Sequence, residues 1–354
     1  MSLRTQWLKI RPERLRELSL LGIIGATVLL FSFLVDDYFT GSFFNRVTTS
    51  VAITAVLAAA QTIVILTRNI DLSVGSIVGV TAYVTGEFVA AHQGTPPVLA
   101  VALAMAIGCG LGLVNGALVA FARVPAIIVT LGTLAIYRTW LISHAEAQTI
   151  TADSLPSWLI ELPRKTLLDV GDLDIRVAFA VAVLLALVLQ AALGMLKWGR
   201  WVYAVGSNPQ AARQAGLPVE LVTLGAFAVC GALSGLAGFM FLARFGNITV
   251  AAGAGLELAS VAAAVVGGVS IVGGAGTLVG ALLGAILIDT LDQSLLRVPQ
   301  VSEFWRDAIL GGLILLAVTA DFAIGRRLRR LWSLQSRRRP TAGVPPGPEV
   351  AADA

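Results

Sequence analysis

The residues most able to do chemistry sit inside apolar stretches: Gln61, Asn69, Asp71, Glu87, Asn115, Tyr137, Asp289, Asp292 and Gln293. Polar groups in such surroundings are costly, so they tend to face a cavity or the interior of a bundle. They are scattered along the chain, and no two stretches offer the carboxylate-rich relay of a proton-coupled carrier. Asp71 reads two ways. Ahead of Leu72-Ser73 it can accept from the free N–H groups that open a helix, and it can equally line or gate a pore. His92 and His144 have no Cys, His, Asp or Glu at metal-ligand spacing and are expected in loops. There is no Gly-x-Ser-x-Gly elbow and no His-Glu-x-x-His. A nucleotide-gripping loop needs Gly-Lys-Ser or Gly-Lys-Thr, yet Lys9, Lys165 and Lys197 all follow residues other than Gly.

The elements that must position these groups are membrane helices. Of 354 residues, 57% are hydrophobic and 13% charged, about half the charge of an ordinary soluble chain. Apolar runs of about 20 residues span a bilayer core, and the runs here predict ten spans: 19–35, 48–67, 72–92, 97–122, 125–142, 177–196, 221–243, 256–272, 275–296 and 307–325. The first run lacks a small-residue cleavage site and is read as a retained helix. Cys109 and Cys230 lie within apolar runs and suit packing rather than a disulfide.

Orientation follows from the excess of Lys and Arg on cytoplasmic loops. With the N-terminus inside, the cytoplasmic side collects 17 of the 25 basic residues, among them Arg16, Arg68, Arg123, Lys197, Arg200, Arg213 and the cluster from Arg326 to Arg339. The loop of about 143–176 on the other side carries Glu146, Asp153, Glu161, Asp169, Asp172 and Asp174. The expected organisation is a cytoplasmic segment 1–18, a transmembrane domain 19–325, and a basic, then Pro/Gly/Ala-rich and disordered, tail 326–354, with both termini cytoplasmic. The net charge of +4 then belongs to membrane ends and not to a nucleic-acid surface. Glycines four apart (108, 112 and 116; 231 and 235; 276, 280 and 284) predict close helix pairs.

Between the sixth and seventh spans, Asn208-Pro209-Gln210-Ala211-Ala212-Arg213-Gln214-Ala215-Gly216 is written as a short helix. Ser207 or Asn208 can cap it, Pro209 suits its first position, and Gly216 with Pro218 stops it. Two turns are marginal alone in water, so such a segment suits either a capped connector or a docking element.

Four collinear segments resemble the ribose-type monosaccharide permeases of bacterial ATP-binding-cassette importers. They are Asn69-Ile70-Asp71-Leu72-Ser73-Val74-Gly75-Ser76; Gly112 to Gly116 with Val124 to Thr133; Ala204 to Gly216 in the form Ala-x-Gly-x-Asn-x-x-Ala-Ala-x-x-x-Gly; and Glu257 through Gly267-Gly268 to Gly273-Gly274-Ala275-Gly276-Thr277. Asn69 stands where that family usually has Gly, and Leu258-Ala259-Ser260 replaces a common Leu-Asp pairing. The resemblance implies an all-α, multi-pass inner-membrane permease that binds no cofactor itself. Its implied partners are a second permease subunit (homo- or heterodimer), a tandem-cassette ATP-binding subunit using ATP and Mg, and a periplasmic sugar-binding protein. It makes Asn208, Pro209, Ala211, Ala212, Arg213 and Gly216 the ATPase-coupling residues. Its pore or gating candidates are Asn69, Asp71, Ser73, Asn115, Thr130, Tyr137 and Glu257. The stretch from Asp292 to Asp307 resembles rhamnose permeases first and furanosyl-autoinducer permeases second. The competing readings are a secondary carrier using Asp71 and a branched-chain amino-acid permease of similar architecture.

Overall fold

The computed structural model describes residues 12–170 and 173–298, with isolated positions between 305 and 319. Among the described residues, eight helices are long and apolar enough to cross a membrane. They are α1 (Pro12–Leu34), α2 (Gly41–Leu66), α3 (Val74–Ala91), α4 (Pro97–Ala120), α5 (Ala126–Ala145), α7 (Val177–Met195), α10 (Val219–Phe245) and α12 (Leu278–Leu295). Between them lie α6 (Ser157–Glu161), α8 (Lys197–Ser207), α9 (Pro209–Gln214) and α11 (Leu256–Val266). Residues 311–354 form a separate unit, of which the few described positions are helical.

Helices α2, α3, α10 and α12 make the centre, with α2 the most enclosed at 89% of its apolar window buried. Helices α1, α4, α5 and α7 are the rim, α1 having 11% buried. Their exposed Phe33, Val98, Ile128 and Leu184 suit a hydrocarbon solvent that no longer drives apolar side chains inward. What holds the centre is backbone approach. A Cβ on Gly231 would lie 2.2 Å from Gly108 O, and one on Gly112 would lie 2.3 Å from Phe227 O, so α4 and α10 meet nearly main chain to main chain. Gly280 and Gly284 admit Gly267 and Ala263 in the same way, whereas Gly276 lies in the turn before α12.

Polar contacts mark the two ends of the bundle. At one, Arg16 Nη1 donates to Gly268 O (2.8 Å), Tyr203 to Gly276 O (2.9 Å), and Leu278 N to Gln190 Oε1 (2.7 Å). At the other, Tyr38 bonds Ser294 (2.7 Å), Asn45 donates to Asp174 (3.2 Å), and Ile150 bridges Ile248. The α9 segment belongs to the first end.

Two expectations change. The span predicted at 256–272 is the 11-residue α11, about 16 Å long and so half a bilayer. The chain leaves α10 at Gly246, folds back into the bundle until Gly253 meets Gly75, and only then becomes helical. A window average over 256–272 merges this half-helix with the glycine turn behind it. The loop 143–176 is not bare, for it holds α6 and an antiparallel pair, β1 (Thr166–Val170) and β2 (Leu173–Arg176), so the chain is mostly rather than wholly helical. Asp289 is buried and accepts from Ser50 Oγ at 2.7 Å, as a polar group facing the bundle interior would. The predicted tenth span and the tail 326–354 lie largely outside the described residues.

Candidate transport and coupling site

The break between α2 and α3 is the polar centre of the molecule. After Leu66 the chain turns at Arg68, whose φ is +67°, and climbs back between the helices through Asn69 to Ser73. Backbone groups freed inside a membrane must find protein partners, and here side chains supply them. The Gln61 amide pairs with both main-chain groups of Asp71, its nitrogen donating to Asp71 O and its oxygen accepting from Asp71 N at 3.4 Å. Asp71 Oδ1 accepts from Ser73 N (2.9 Å) and Ser73 Oγ (2.6 Å); this holds the turn that leads into α3, whose N-cap is Ser73, rather than capping the helix itself.

Two further helices close on this turn. Asn115 of α4 donates to Ser73 Oγ (2.8 Å) and reaches Asp71 Oδ2 (3.4 Å). Tyr137 of α5 donates to Leu111 O (3.0 Å) and lies 3.2 Å from Asn115 Oδ1. Thr130 donates to Ile70 O at 3.3 Å. Asp71, Ser73, Asn115 and Thr130 are fully buried, and Tyr137 is 8% exposed. Five of the seven pore or gating candidates therefore form one hydrogen-bonded junction of α2, α3, α4 and α5. Asn69 stays local, its amide nitrogen donating to Thr67 O (3.0 Å) and Thr67 Oγ1 (3.1 Å) at the end of α2.

Glu257 stands apart, at the start of the half-helix α11. Its Oε1 accepts from Gly255 N (3.2 Å), its Oε2 is buried without a hydrogen-bond partner, and a Cβ on Gly75 would fall 2.0 Å from that oxygen. The starts of α3 and α11 thus meet within the bundle, an arrangement that discontinuous helices give transporters near the bilayer middle. Arg138, which the sequence reading passed over, fixes the re-entrant segment before α11 by donating to Val250 O (2.8 Å) and Ala252 O (2.7 Å). An arginine inside an apolar span was the signal that could have found it.

The residues from Asn208 to Gly216 form the helix their types require. Asn208 accepts from Gln210 N (3.1 Å) and Ala211 N (3.0 Å), and Pro209 opens the helix. Gly216 ends it at φ +78°, a conformation that costs other residues about 1–2 kcal/mol. Leu217 N reaches Ala212 O and Gly216 N reaches Arg213 O, both at 3.0 Å, satisfying the last carbonyls. Ala212 is buried, whereas Ala211 and Arg213 are exposed, and Arg213 pairs with Glu220 at 2.6 Å. The preceding α8 was not expected as a separate helix. Its Trp198, Trp201 and Tyr203 among Lys197 and Arg200 are the mixture of an interfacial helix.

The two regions are joined. Arg68 Nε donates to Gly206 O (2.5 Å) and Arg68 Nη2 to Ser207 O (2.6 Å), while Gly274 N donates to Leu66 O (3.0 Å). A Cβ on Gly206 would lie 1.6 Å from Leu66 O. The residues that lead into α9 therefore rest directly on the turn that leads into the Asp71 junction. The histidines differ from expectation in one respect: His144 is in the last turn of α5, where it meets Glu87 at 2.9 Å.

Among known proteins, the family model described as "Branched-chain amino acid transport system / permease component" matches residues 43–318. The autoinducer 2 import system permease protein LsrC of Yersinia enterocolitica is 35% identical over 328 residues, covering 92% of this chain and 88% of that protein. Those of Shigella flexneri and Escherichia coli K12 are each 37% identical over 313 residues, covering 86% of this chain and 88% of theirs. No solved structure matches the chain. With the matched region containing the junction, the half-helix and α9 alike, the chain is a multi-pass inner-membrane protein and belongs to the ribose-type permease family of ATP-binding-cassette importers.

Proposed function

We propose that this chain is the pore-forming subunit through which a monosaccharide-class solute crosses the inner membrane, driven by ATP hydrolysis on a separate subunit. Both termini and α9 face the cytoplasm in this reading. A pair of permeases, alike or related, forms the path, a tandem-cassette ATPase using ATP and Mg docks on α9, and a periplasmic sugar-binding protein delivers the solute. Closure of the ATPase displaces α9 and α8, Arg68 transmits the movement to the α2–α3 turn, and the Asp71 junction shifts α3 against the start of α11. The chain supplies no catalytic group of its own. The observation that carries this reading is the exposed, fully capped α9 tied through Arg68 to the buried junction.

Within the sugars, the furanosyl signal autoinducer 2 is the preferred solute, ahead of rhamnose. Its support is that the relatives, similar over most of both chains, carry that name. The description of the matching family model favours a second reading, a branched-chain amino acid. Reconstitution with the ATPase and binding protein separates them: ATPase stimulation by autoinducer 2 supports the first, and stimulation by leucine alone supports the second.

A further inference from the structure

At the end of the bundle opposite α9, four arginines line one cavity of about 570 Å³: Arg46 of α2, Arg164 before β1, Arg176 ahead of α7, and Arg244 of α10. Among the described residues, no carboxylate lines it. Nearby acids neutralise part of this charge. Asp174 meets Arg176 at 3.3 Å, and Asp289 and Asp292 lie close enough to act on Arg244. Arg46 and Arg164 have no ion pair among the described residues, and Arg176 Nε is buried without a hydrogen-bond partner. Guanidinium groups are forks suited to phosphate and carboxylate oxygens, so the chemistry of the cavity suits an anion.

The cavity does not stand alone. A second one of about 360 Å³, almost wholly apolar, shares Thr49, Pro163, Ala243 and Arg244 with it. That groove runs between α2, α4, α7 and α10. Two of its wall residues, Val98 and Val181, are 80% and 42% exposed, so it opens on the rim that faces hydrocarbon. An arginine-lined head compartment continuous with an apolar groove open to the bilayer matches one class of molecule, whose anionic head and acyl chain are joined. A hydrated free anion would use the first compartment and leave the second without a role.

We infer that the paired cavities form a binding site for an anionic phospholipid, its phosphate held by Arg46, Arg164 and Arg176 and one acyl chain laid in the groove beside Val181. The site lies away from α9 and from the Asp71 junction, so its occupancy is separable from coupling.

The test is native mass spectrometry of the full chain, delipidated in detergent and titrated with phosphatidylglycerol, phosphatidylcholine or inorganic phosphate. Binding of one phosphatidylglycerol per chain is expected, about tenfold tighter than phosphatidylcholine. In R46Q/R164Q the preference disappears, and in R46K/R164K much of it returns. V181W, which fills the groove, weakens both lipids, and an unchanged melting temperature shows that each variant is folded. Equal retention of the two lipids, or retention of the preference in folded R46Q/R164Q, overturns the inference. Binding of inorganic phosphate as tight as that of phosphatidylglycerol, unaffected by V181W, overturns it in favour of a free-anion site.

Discussion

Arg68 grips Gly206 across 138 residues of sequence, Nε to carbonyl oxygen at 2.5 Å, and with the same guanidinium reaches Ser207 O at 2.6 Å. One side chain thus holds the turn below the Asp71 junction to the residues that begin α9. A planar fork can satisfy two carbonyls at once, and a lysine ammonium on a flexible stem cannot reproduce that geometry. Arg68→Ala and Arg68→Lys should therefore reach the membrane in normal amounts. Each lost charge-assisted bond is worth about 1.5–3 kcal/mol, so ATP-driven uptake is expected to fall about tenfold or more. Uptake assays beside membrane yield check this. Normal uptake in Arg68→Ala would remove the proposed link.

The α9 helix makes a second test. Gly216→Pro or Ala212→Glu should abolish transport while leaving insertion intact, the first because Gly216 needs φ +78° and the second because Ala212 is 5% exposed. Asn208→Ala removes a cap worth about 1 kcal/mol and should weaken ATPase stimulation without ending it. Normal uptake in both of the first two variants counts against a coupling role.

Within the buried junction, Tyr137→Phe removes the bonds to Asn115 Oδ1 and Leu111 O. It should lower stability by about 1 kcal/mol, and Asn115→Leu by more, because Ser73 and Asp71 then lose a donor as well. The two substitutions share a partner, so their effects should not add. Thermal melting of the single and double variants in detergent measures the coupling; strict additivity would mean that the network is not one unit.

Helix α4 meets α10 so closely that Gly231→Val should sharply reduce folded protein, because the new Cβ would sit 2.2 Å from Gly108 O. Gly132→Ala on the rim helix α5 has no atom within 4 Å of its new Cβ and should be silent. Monodisperse yield after size-exclusion chromatography compares the two.

The legible parts of this molecule were those written in local rules. Asn208, Pro209 and Gly216 specify a start and a stop within nine residues, and the helix forms between them. The apolar runs placed eight helices because burial in hydrocarbon is a property of the segment itself. Asp71, Asn115 and Tyr137 stood out as polar residues in apolar company, yet only the fold brings 71, 115 and 137 together, since their meeting depends on how three helices pack. The half-helix α11 escaped notice for a related reason: the apolar run 256–272 joins it to the glycine turn that follows, and only the contact of Gly253 with Gly75 shows the segment before it to be re-entrant backbone. Arg68 counted as one more basic loop residue, because its partners lie on a distant segment.

The central claim is that transport is powered through α9 by another chain. Proteoliposomes containing the permease, its ATPase and its binding protein should accumulate labelled solute with ATP and Mg, and vesicles with the permease alone should not do so under a proton or sodium gradient. Accumulation by the permease alone, driven by an ion gradient and insensitive to ATP, would contradict it.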